Sequence, residues 1–344
     1  MKILGIETSC DETAAAVIED GTKILSNVVA SSAEMHAKTG GVIPEQAARQ
    51  QVQSIIPVID QALGNRDLAL VDVIAVTVGP GLIGSLLVGV ETAKTLAHVW
   101  DKPIVPVNHL VAHLYANWFK DIPEFPALGL VVSGGHTDLV LMRSHGNMKY
   151  IGGTRDDAAG EAFDKTARLL SLPYPGGPSI SRAAEQYFEK AVLTLRDKTA
   201  RLSLFPRPLS EEDNFDWSFS GLKTAVAREI QNNPTSPRLR GAELAAEIQE
   251  AIVDCLVIKS KKAIAKFRPK SFLLAGGVAA NKRLREKFLG EIFSKNGHVR
   301  FHVPEPKFCT DNAAYIAACA YYNYKPVDWK KIEANPELTI TSRL

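Results

Sequence analysis

Residues 2–21 decide the fold, and they read KILGIETSCDETAAAVIEDG. Residues 2–7 are mostly apolar and have a pattern typical of a strand. The small polar residues 8–11 end this first run. A second apolar run, residues 14–18, ends at Asp20-Gly21, a dipeptide typical of a hairpin turn. The stretch therefore predicts two antiparallel strands, and a third strand is expected over residues 24–30.

The same plan recurs from residue 127 onward. An apolar run at residues 128–132 is followed by the turn SGGHT at residues 133–137, a second apolar run at 139–142 and a turn that closes on Gly146. Thr8 of the first turn aligns with Ser133 of the second. This duplication predicts an α/β protein of two related domains that face each other across a cleft.

A third small-residue turn, residues 276–281, follows another predicted strand. Turns of this kind expose backbone N–H groups and let a phosphate approach closely. One such turn alone is most often an ordinary connection between elements. Three of them on a duplicated plan favour a nucleotide-binding cleft, although none matches a P-loop or a GxGxxG fingerprint.

Charge and cysteine content exclude several classes of protein. The 344 residues include 40 basic and 38 acidic residues, so the net charge of +2 does not indicate nucleic-acid binding over the whole surface. A basic cluster at residues 259–270 is the one local patch that could contact RNA, and a solvated helix end is its other interpretation. Four cysteines without a CxxC pair predict free thiols in the cytoplasm.

Residues 73–90 carry no charge, which invites a membrane interpretation. Gly79-Pro80-Gly81 interrupts this segment in its middle. A buried strand, a tight turn and a buried helix explain it better, and no membrane association is expected. The N-terminus lacks the pattern of a signal peptide.

Two histidines four residues apart, His109 and His113, open a predicted helix. Positions i and i+4 share a helix face, so the two imidazoles can bind one metal ion, while two structural core histidines are the alternative. Zinc peptidases place a glutamate base after the first histidine, but Leu110 stands here. A metal without an adjacent base is suited to positioning a substrate oxygen.

The third ligand must come from elsewhere in the chain. The candidates are Asp311, His136, Asp164 and Asp11. Asp311 stands out because it precedes a predicted alanine-rich helix, where a carboxylate is well oriented, although a plain N-cap is an equal alternative. Two histidines and one aspartate suit one divalent ion, Fe2+ or Zn2+, with positions left for substrate.

A series of motifs in fixed order resembles one known family over residues 2–322. The motifs are IETSCDET (6–13), GGVIPE (40–45), GPGL (79–82), NHLVAH (108–113), SGGHT (133–137), GEAFDK (160–165), YPGGP (174–178), FSGLKT (219–224), GGVAAN (276–281) and CTDNAA (309–314). They resemble the bacterial tRNA adenosine N6-threonylcarbamoyltransferases, the TsaD family, formerly called O-sialoglycoprotein endopeptidases.

The resemblance implies an actin and sugar-kinase-like (ASKHA) fold of two duplicated domains, here expected at residues 1–107 and 108–322 with a tail at 323–344. It implies transfer of a threonylcarbamoyl group from threonylcarbamoyl-AMP to N6 of the adenosine that follows the anticodon in tRNAs reading ANN codons. The implied partners are tRNA, a TsaB-like paralogue in a heterodimer, a TsaE-like small ATPase and an upstream threonylcarbamoyl-AMP synthase.

The resemblance also implies roles for individual residues. His109, His113 and Asp311 match the family's metal ligands. The positions that match its substrate-binding residues are Val132, Ser133, Gly134, Gly135, His136, Asp164, Gly177 and Asn281. Apart from the resemblance, Asp11 and His136 lie in turns expected to line the cleft, and this makes them the candidates for accepting the proton that the attacking amine loses. The sequence departs from the family pattern at Gln51, where a histidine is common, and at Ser181, where an aspartate is frequent.

Two other functions remain open on the sequence. A metallopeptidase acting on glycoproteins is suggested by the histidine pair, and the missing glutamate counts against it. A non-catalytic nucleotide-binding scaffold subunit is the second, and retention of both histidines with Asp311 counts against that.

Overall fold

The computed structural model describes residues 1–64, 71–193, 203–233, 237–294, 297–342 and 344. Its strands form two five-stranded mixed sheets. The strands of the first sheet are β1 (Lys2–Glu7), β2 (Glu12–Glu19), β3 (Lys23–Ser31), β4 (Val73–Gly79) and β5 (Ile104–Asn108). Those of the second are β6 (Ala127–Val132), β7 (Thr137–Ser144), β8 (Asn147–Gly153), β9 (Ser271–Ala275) and β10 (Arg300–His302).

The two sheets have the same topology. The first has the order β3-β2-β1-β4-β5, and the second has the order β8-β7-β6-β9-β10 when read in the matching direction. In each sheet the first three strands pair antiparallel and the last two add in parallel. The predicted duplication, with β1 equivalent to β6, is therefore confirmed.

The turn between β2 and β3 has the backbone conformation that its sequence predicts. Asp20 and Gly21 have φ angles of 51° and 75°. Positive φ at both central residues is what a type I′ hairpin turn requires, and aspartate and glycine tolerate it. The predicted hairpin at Asp20-Gly21 is present.

Ten α-helices in the described residues cover the sheets. They are α1 (Ala33–Thr39), α2 (Pro44–Leu63), α3 (Ile83–Trp100), α4 (His109–Tyr115), α5 (Ala159–Leu169), α6 (Gly176–Leu193), α7 (Ser220–Asn232), α8 (Pro237–Phe267), α9 (Lys282–Lys287) and α10 (Ala314–Tyr322). In the parts of the chain that are described, no helix is both long and apolar enough to cross a membrane. Residues 73–90 form the predicted strand, turn and helix.

Three apolar cores hold the layers together. Helices α2 and α3 cover the outer face of the first sheet, and α5, α7 and α8 cover the outer face of the second. The middle core lies between the two sheets, where α4 and α10 pack against each other. Helix α10 contacts β1 and β2, while α4 contacts β6 and β9. Chemistry carried by α4 and by the start of α10 therefore lies at the junction of the two halves.

Some elements differ from expectation. Strand β8 was not predicted, because it is a partly exposed edge strand that lacks a continuous apolar run and ends in two glycines. Helix α6 begins at Gly176, inside the YPGGP motif, although two glycines and a proline there are more typical of a loop. The division of the chain at residue 107 stays a prediction, and the tail at 323–344 bonds back to the first sheet through Val327 and Asn335.

Candidate metal centre

Helix α4 begins where the sequence predicts it because Asn108 caps it. The Asn108 Oδ1 atom accepts hydrogen bonds from the backbone N–H groups of Leu110 and Val111 at 3.0 and 3.2 Å. His109 and His113 consequently lie one turn apart, with ring centroids separated by 4.5 Å. Both side chains are buried, His113 to 99 per cent and His109 to 91 per cent.

Asp311 reaches the histidine pair from the loop that precedes α10. Its Oδ1 atom lies 3.7 Å from His109 Nε2 and 3.5 Å from His113 Nε2. One ligand atom from each of the three residues lies within 4.8 Å of the others. The Tyr315 hydroxyl donates to Asp311 Oδ1 at 3.3 Å and helps to fix the carboxylate.

Asp311 is not an N-cap, so the capping alternative for this residue is wrong. Helix α10 starts three residues later, and Asn312 Oδ1 accepts from the N–H groups of Ala314 and Tyr315 at 3.1 and 3.4 Å. Asn312 therefore satisfies the helix terminus, and the Asp311 carboxylate remains directed at the histidines.

The electrostatics keep His113 uncharged. Burial, followed by the charges of His109 and His136, lowers the pKa of His113 well below its ordinary value. Burial opposes protonation of His109 too, but the carboxylates of Glu7 and Asp311 outweigh it and raise its pKa to about 9. Burial raises the pKa of Asp311 to about 6, although the His109 charge opposes that shift.

The other candidate ligands do not join this group. Among the described residues, one set of three metal-binding side chains comes together, and Asp11, His136 and Asp164 are not in it. Cys10 and Cys309 are free thiols outside the same set. Of the four residues considered for the third ligand, the geometry places Asp311 beside the histidine pair.

Glu7 is the residue of the site that sequence reasoning missed. It is the last residue of β1, it is fully buried, and its Oε2 atom lies 3.1 Å from His109 Nδ1. The available signal was a single carboxylate directly after the apolar residues 3–6 of the strand. A charge in that position is rare unless it has a partner.

Gln51 holds the turn that contains Asp11. The Gln51 side chain is buried on α2, and its Nε2 atom donates to the carbonyl oxygens of Cys10 and Glu12, each at 3.0 Å. Burial is the main cause that raises the pKa of Glu12 to about 10, and the negative charges of Asp311 and Asp11 add to it. This carboxyl is therefore protonated at neutral pH. Gln51, a departure from the family pattern, thus has a structural role here.

The turn at residues 133–136 follows β6 and is closed by its own hydrogen bonds. Ser133 N donates to His136 O at 2.8 Å, and His136 N donates to Ser133 Oγ at 3.1 Å. A Cβ atom on Gly134 or Gly135 would meet no described atom within 4 Å, so the backbone there is open to a ligand. Val132, the last residue of β6, is buried below the turn. Burial is the main cause that lowers the pKa of His136 to about 4, and the charge of His109 adds to it.

The remaining predicted binding residues lie on α5, α6 and α9. Asp164 Oδ1 accepts from Gly176 N at 2.7 Å, and Gly177 follows at the open start of α6. Asn281 caps α9 and donates to Ser181 Oγ and to Gln249 Oε1 at 2.9 and 3.0 Å. Ser181, the second departure from the family pattern, is therefore part of a polar network with Asn281 and Gln249.

The basic cluster at residues 259–270 is only partly exposed. Lys259 is fully buried, and its Nζ atom donates to the backbone oxygens of Glu212 and Asn214 at 3.1 and 2.9 Å. Lys262 donates to Ser210 O at 2.8 Å. These two lysines hold the 210–214 loop, whereas Lys261, Lys266, Arg268 and Lys270 are exposed, so RNA contact by the rest of the cluster stays a prediction.

The comparisons with known proteins agree on one family. A family model described as TsaD, tRNA N6-adenosine threonylcarbamoyltransferase, matches residues 23–318. A relative of that name from Thermomicrobium roseum is 50% identical, with 94% of this chain and 92% of the relative aligned. Another from Dehalococcoides mccartyi is 48% identical, with 99% and 100% aligned.

Solved structures show the fold. Component A of the (R)-2-hydroxyglutaryl-CoA dehydratase of Acidaminococcus fermentans superposes with a TM-score of 0.52 at 14% identity, covering 96% of this chain and 99% of that one. HypF of T. kodakarensis gives 0.56 at 14% identity, covering 94% of this chain and 48% of that one. The predicted ASKHA fold is confirmed by these neighbours and by the two matching sheets.

Proposed function

The chain belongs to the family of tRNA N6-adenosine threonylcarbamoyltransferases, and we propose that its His109, His113 and Asp311 hold one divalent metal ion in the active site. The activity of the family is transfer of a threonylcarbamoyl group to N6 of an adenosine in tRNA. We infer that the donor is threonylcarbamoyl-AMP and that the acceptor is the adenosine 3′-adjacent to the anticodon in tRNAs reading ANN codons. Both inferences rest on the resemblance of the motifs.

The donor set of the three residues fits a metal ion. His113 is buried, yet neither of its ring nitrogens has a hydrogen-bond partner in the described structure. An unsatisfied buried polar group costs about 1–3 kcal/mol, and a metal at Nε2 would remove that cost. Two imidazoles and one carboxylate suit Fe2+ or Zn2+ and leave open positions. When bound, such an ion supplies Lewis-acid chemistry and a fixed point for a substrate oxygen.

The chain's own residues account for binding and orientation of the adenylate. We propose that the open turn at residues 133–136 binds the phosphate through its backbone N–H groups, with Val132 beneath it. Asp164, Gly177 and Asn281 lie further along the second half, where they would contact the nucleoside. Holding the activated carbonyl carbon close to the adenine amine converts a bimolecular reaction into an effectively intramolecular one.

The transfer step needs a proton acceptor. The new bond joins N6 of adenosine to the carbamoyl carbon, the bond from that carbon to the phosphate oxygen breaks, AMP leaves, and the amine loses one proton. His136 is uncharged near pH 7, because its pKa is about 4, so one of its ring nitrogens is free to receive that proton. Asp11, in the equivalent turn of the first half, is the second candidate.

The two alternative functions are not favoured. Leu110, Val111 and Ala112 between the histidines are buried apolar residues, so the base of a zinc peptidase is missing from its usual place. A non-catalytic scaffold would not need three converging ligands. The family match and the named relatives point to the transferase instead.

An exposed apolar face lies on the first half of the molecule. Helices α2 and α3 pack side by side, and they expose Val52, Ile56, Ile83 and Leu87 to between 45% and 63%. Exposed apolar side chains at i and i+4 on each of two neighbouring helices are typical of an interface. We propose that this α2–α3 face binds the TsaB-like paralogue. A TsaE-like ATPase, an upstream synthase and a cytoplasmic location follow from the resemblance and from tRNA as the substrate.

The metal proposal is tested by elemental analysis. The purified chain should contain close to one equivalent of iron or zinc when it is prepared without chelator, and His113→Ala should contain at most a tenth of that. His98→Ala is the matched control, because His98 is an exposed histidine on α3 and should leave metal content unchanged. Equal metal content in the wild type and His113→Ala would contradict the proposed site.

A further inference from the structure

We propose that Glu7 orients His109 for metal binding, as a positioning residue outside the ligand set. The inference rests on the metal site proposed above and adds a residue to it. Glu7 lies on β1, far from α4 in sequence, and its side chain is fully buried. Burying a carboxylate costs free energy unless its oxygens accept hydrogen bonds. The hydrogen-bond partners of Glu7 therefore indicate its role.

Every polar neighbour of Glu7 donates to it. The Ser9 backbone N–H donates to Oε1 at 2.5 Å, and the Thr77 hydroxyl donates to Oε2 at 2.6 Å. His109 Nδ1 lies 3.1 Å from the same Oε2 atom. Thr77 belongs to β4, which pairs in parallel with β1, so the sheet itself fixes the carboxylate.

This arrangement selects one tautomer of His109. A carboxylate only accepts, so the ring nitrogen that faces it, Nδ1, carries the hydrogen. The other ring nitrogen, Nε2, is then free to act as a ligand, and it is the atom directed at Asp311, 3.7 Å away. Carboxylates that bond the far nitrogen of a metal-binding histidine fix its ring and raise its basicity.

The Ser9 hydroxyl does not dictate the tautomer. Its oxygen lies 3.3 Å from His109 Nδ1, but a hydroxyl can either donate or accept. His113 has no orienting partner, because its Nδ1 atom makes no hydrogen bond within the described residues. Among the described contacts of the histidine pair, the carboxylate of Glu7 is therefore the one that fixes a ring nitrogen as a donor, and it acts on His109.

An amide cannot replace this carboxylate without a conflict. If Gln stood at position 7 with its oxygen toward Ser9, its NH2 group would face His109 Nδ1, and that nitrogen would have to accept. The hydrogen would then move to Nε2, where it blocks the metal. If the amide were flipped, its NH2 group would meet the Ser9 N–H donor instead. Glu7→Gln thus changes the chemistry of the site with almost no change in volume.

The test is metal affinity measured without substrate. Zn2+ and Co2+ binding to the full chain is followed by competition with a chromophoric chelator, and we expect Glu7→Gln to bind about 10–100-fold more weakly than wild type. The absorption bands of the Co2+-loaded variant should shift, since the geometry at His109 changes. Ser9→Ala is the matched control at the same nitrogen, and its affinity should stay within about threefold of wild type. Circular dichroism confirms that each variant is folded.

The outcomes separate this inference from the metal site itself. If wild type binds the metal and folded Glu7→Gln binds within threefold of it with an unchanged Co2+ spectrum, the positioning role is wrong while the site stands. If wild type binds no metal, both are wrong. Should Glu7→Gln fail to fold, Thr77→Val decides the matter: it removes one donor that holds Oε2, so at least threefold weaker binding supports the role and unchanged affinity overturns it.

Discussion

Gln51 Nε2 donates to the backbone oxygen of Cys10 at 3.0 Å, which ties helix α2 to the first small-residue turn. The same nitrogen lies 3.0 Å from the oxygen of Glu12. A single buried amide therefore bridges two carbonyl groups of the turn, and the Ser85 hydroxyl also donates to the Cys10 oxygen at 3.0 Å. The position of Asp11 depends on this contact, because Asp11 lies between the two carbonyls.

Replacing Gln51 should destabilise the protein. Gln51→Leu keeps the volume but removes the buried donor that bridges the carbonyls of Cys10 and Glu12, and only the Cys10 oxygen keeps a described second donor, Ser85, so the free energy of unfolding should fall by about 1–3 kcal/mol. Urea denaturation measures the change. Gln50→Leu, at an exposed position of the same helix, should change it by less than about 0.5 kcal/mol. Equal losses in the two variants would contradict the role given to Gln51.

Asp138 should make stability depend on pH. Burial raises the pKa of this carboxyl to about 6, against an ordinary value of 3.8, although a hydrogen bond from Tyr150 opposes the shift. The folded protein therefore binds this proton more tightly than the unfolded chain does, and it loses stability as pH rises from about 4 to 6. Asp138→Asn stays uncharged and should be more stable than wild type by about 1–2 kcal/mol at pH 8. Denaturant melts at pH 4 and pH 8 test the prediction, and an advantage that does not grow with pH would refute it.

Negative charge introduced on the α2–α3 face should prevent binding of the TsaB-like paralogue. Val52→Glu with Ile56→Glu places two carboxylates in the middle of the proposed interface, so co-purification of the TsaB-like partner should be lost. Val99→Glu changes an apolar residue that is 69% exposed near the end of α3, and it should leave the complex intact. Size-exclusion chromatography of the mixed proteins reports the result. A complex that survives the double change places the partner elsewhere.

Loss of the proton acceptor should affect transfer more than binding. His136→Ala or Asp11→Ala, whichever removes the true acceptor, should lower the rate of transfer by roughly 100-fold while the donor still binds. Single-turnover rates and isothermal titration with the adenylate separate the two effects. If both variants transfer at the wild-type rate, neither residue accepts the proton.

The repeated hairpin unit was readable from sequence because its signals are local. Alternating apolar residues and the Asp20-Gly21 turn specify antiparallel strands within a short stretch. Strand β8 was not predicted because an edge strand needs few apolar residues. The burial of Lys259 was not predicted, because the sequence shows a basic helix end but not the 210–214 loop that covers this lysine.

The site was predictable only where its residues are neighbours in sequence. His109 and His113 share a helix turn, so their spacing indicates their common face. Glu7 and Thr77 meet because β1 and β4 pair in parallel, and nothing near either residue in the sequence states that register. Asp311 was expected from its helix, yet its approach to the histidines depends on how α10 packs against α4.

The most direct test is in vitro transfer of a labelled threonylcarbamoyl group from threonylcarbamoyl-AMP to an unmodified tRNA that reads an ANN codon. Wild type, combined with its paralogue and loaded with Fe2+ or Zn2+, should label the tRNA at the adenosine beside the anticodon, and His113→Ala should do so at least about 100-fold more slowly. Wild-type rates from folded, metal-free His113→Ala, or no labelled tRNA from the wild-type complex, would contradict the account.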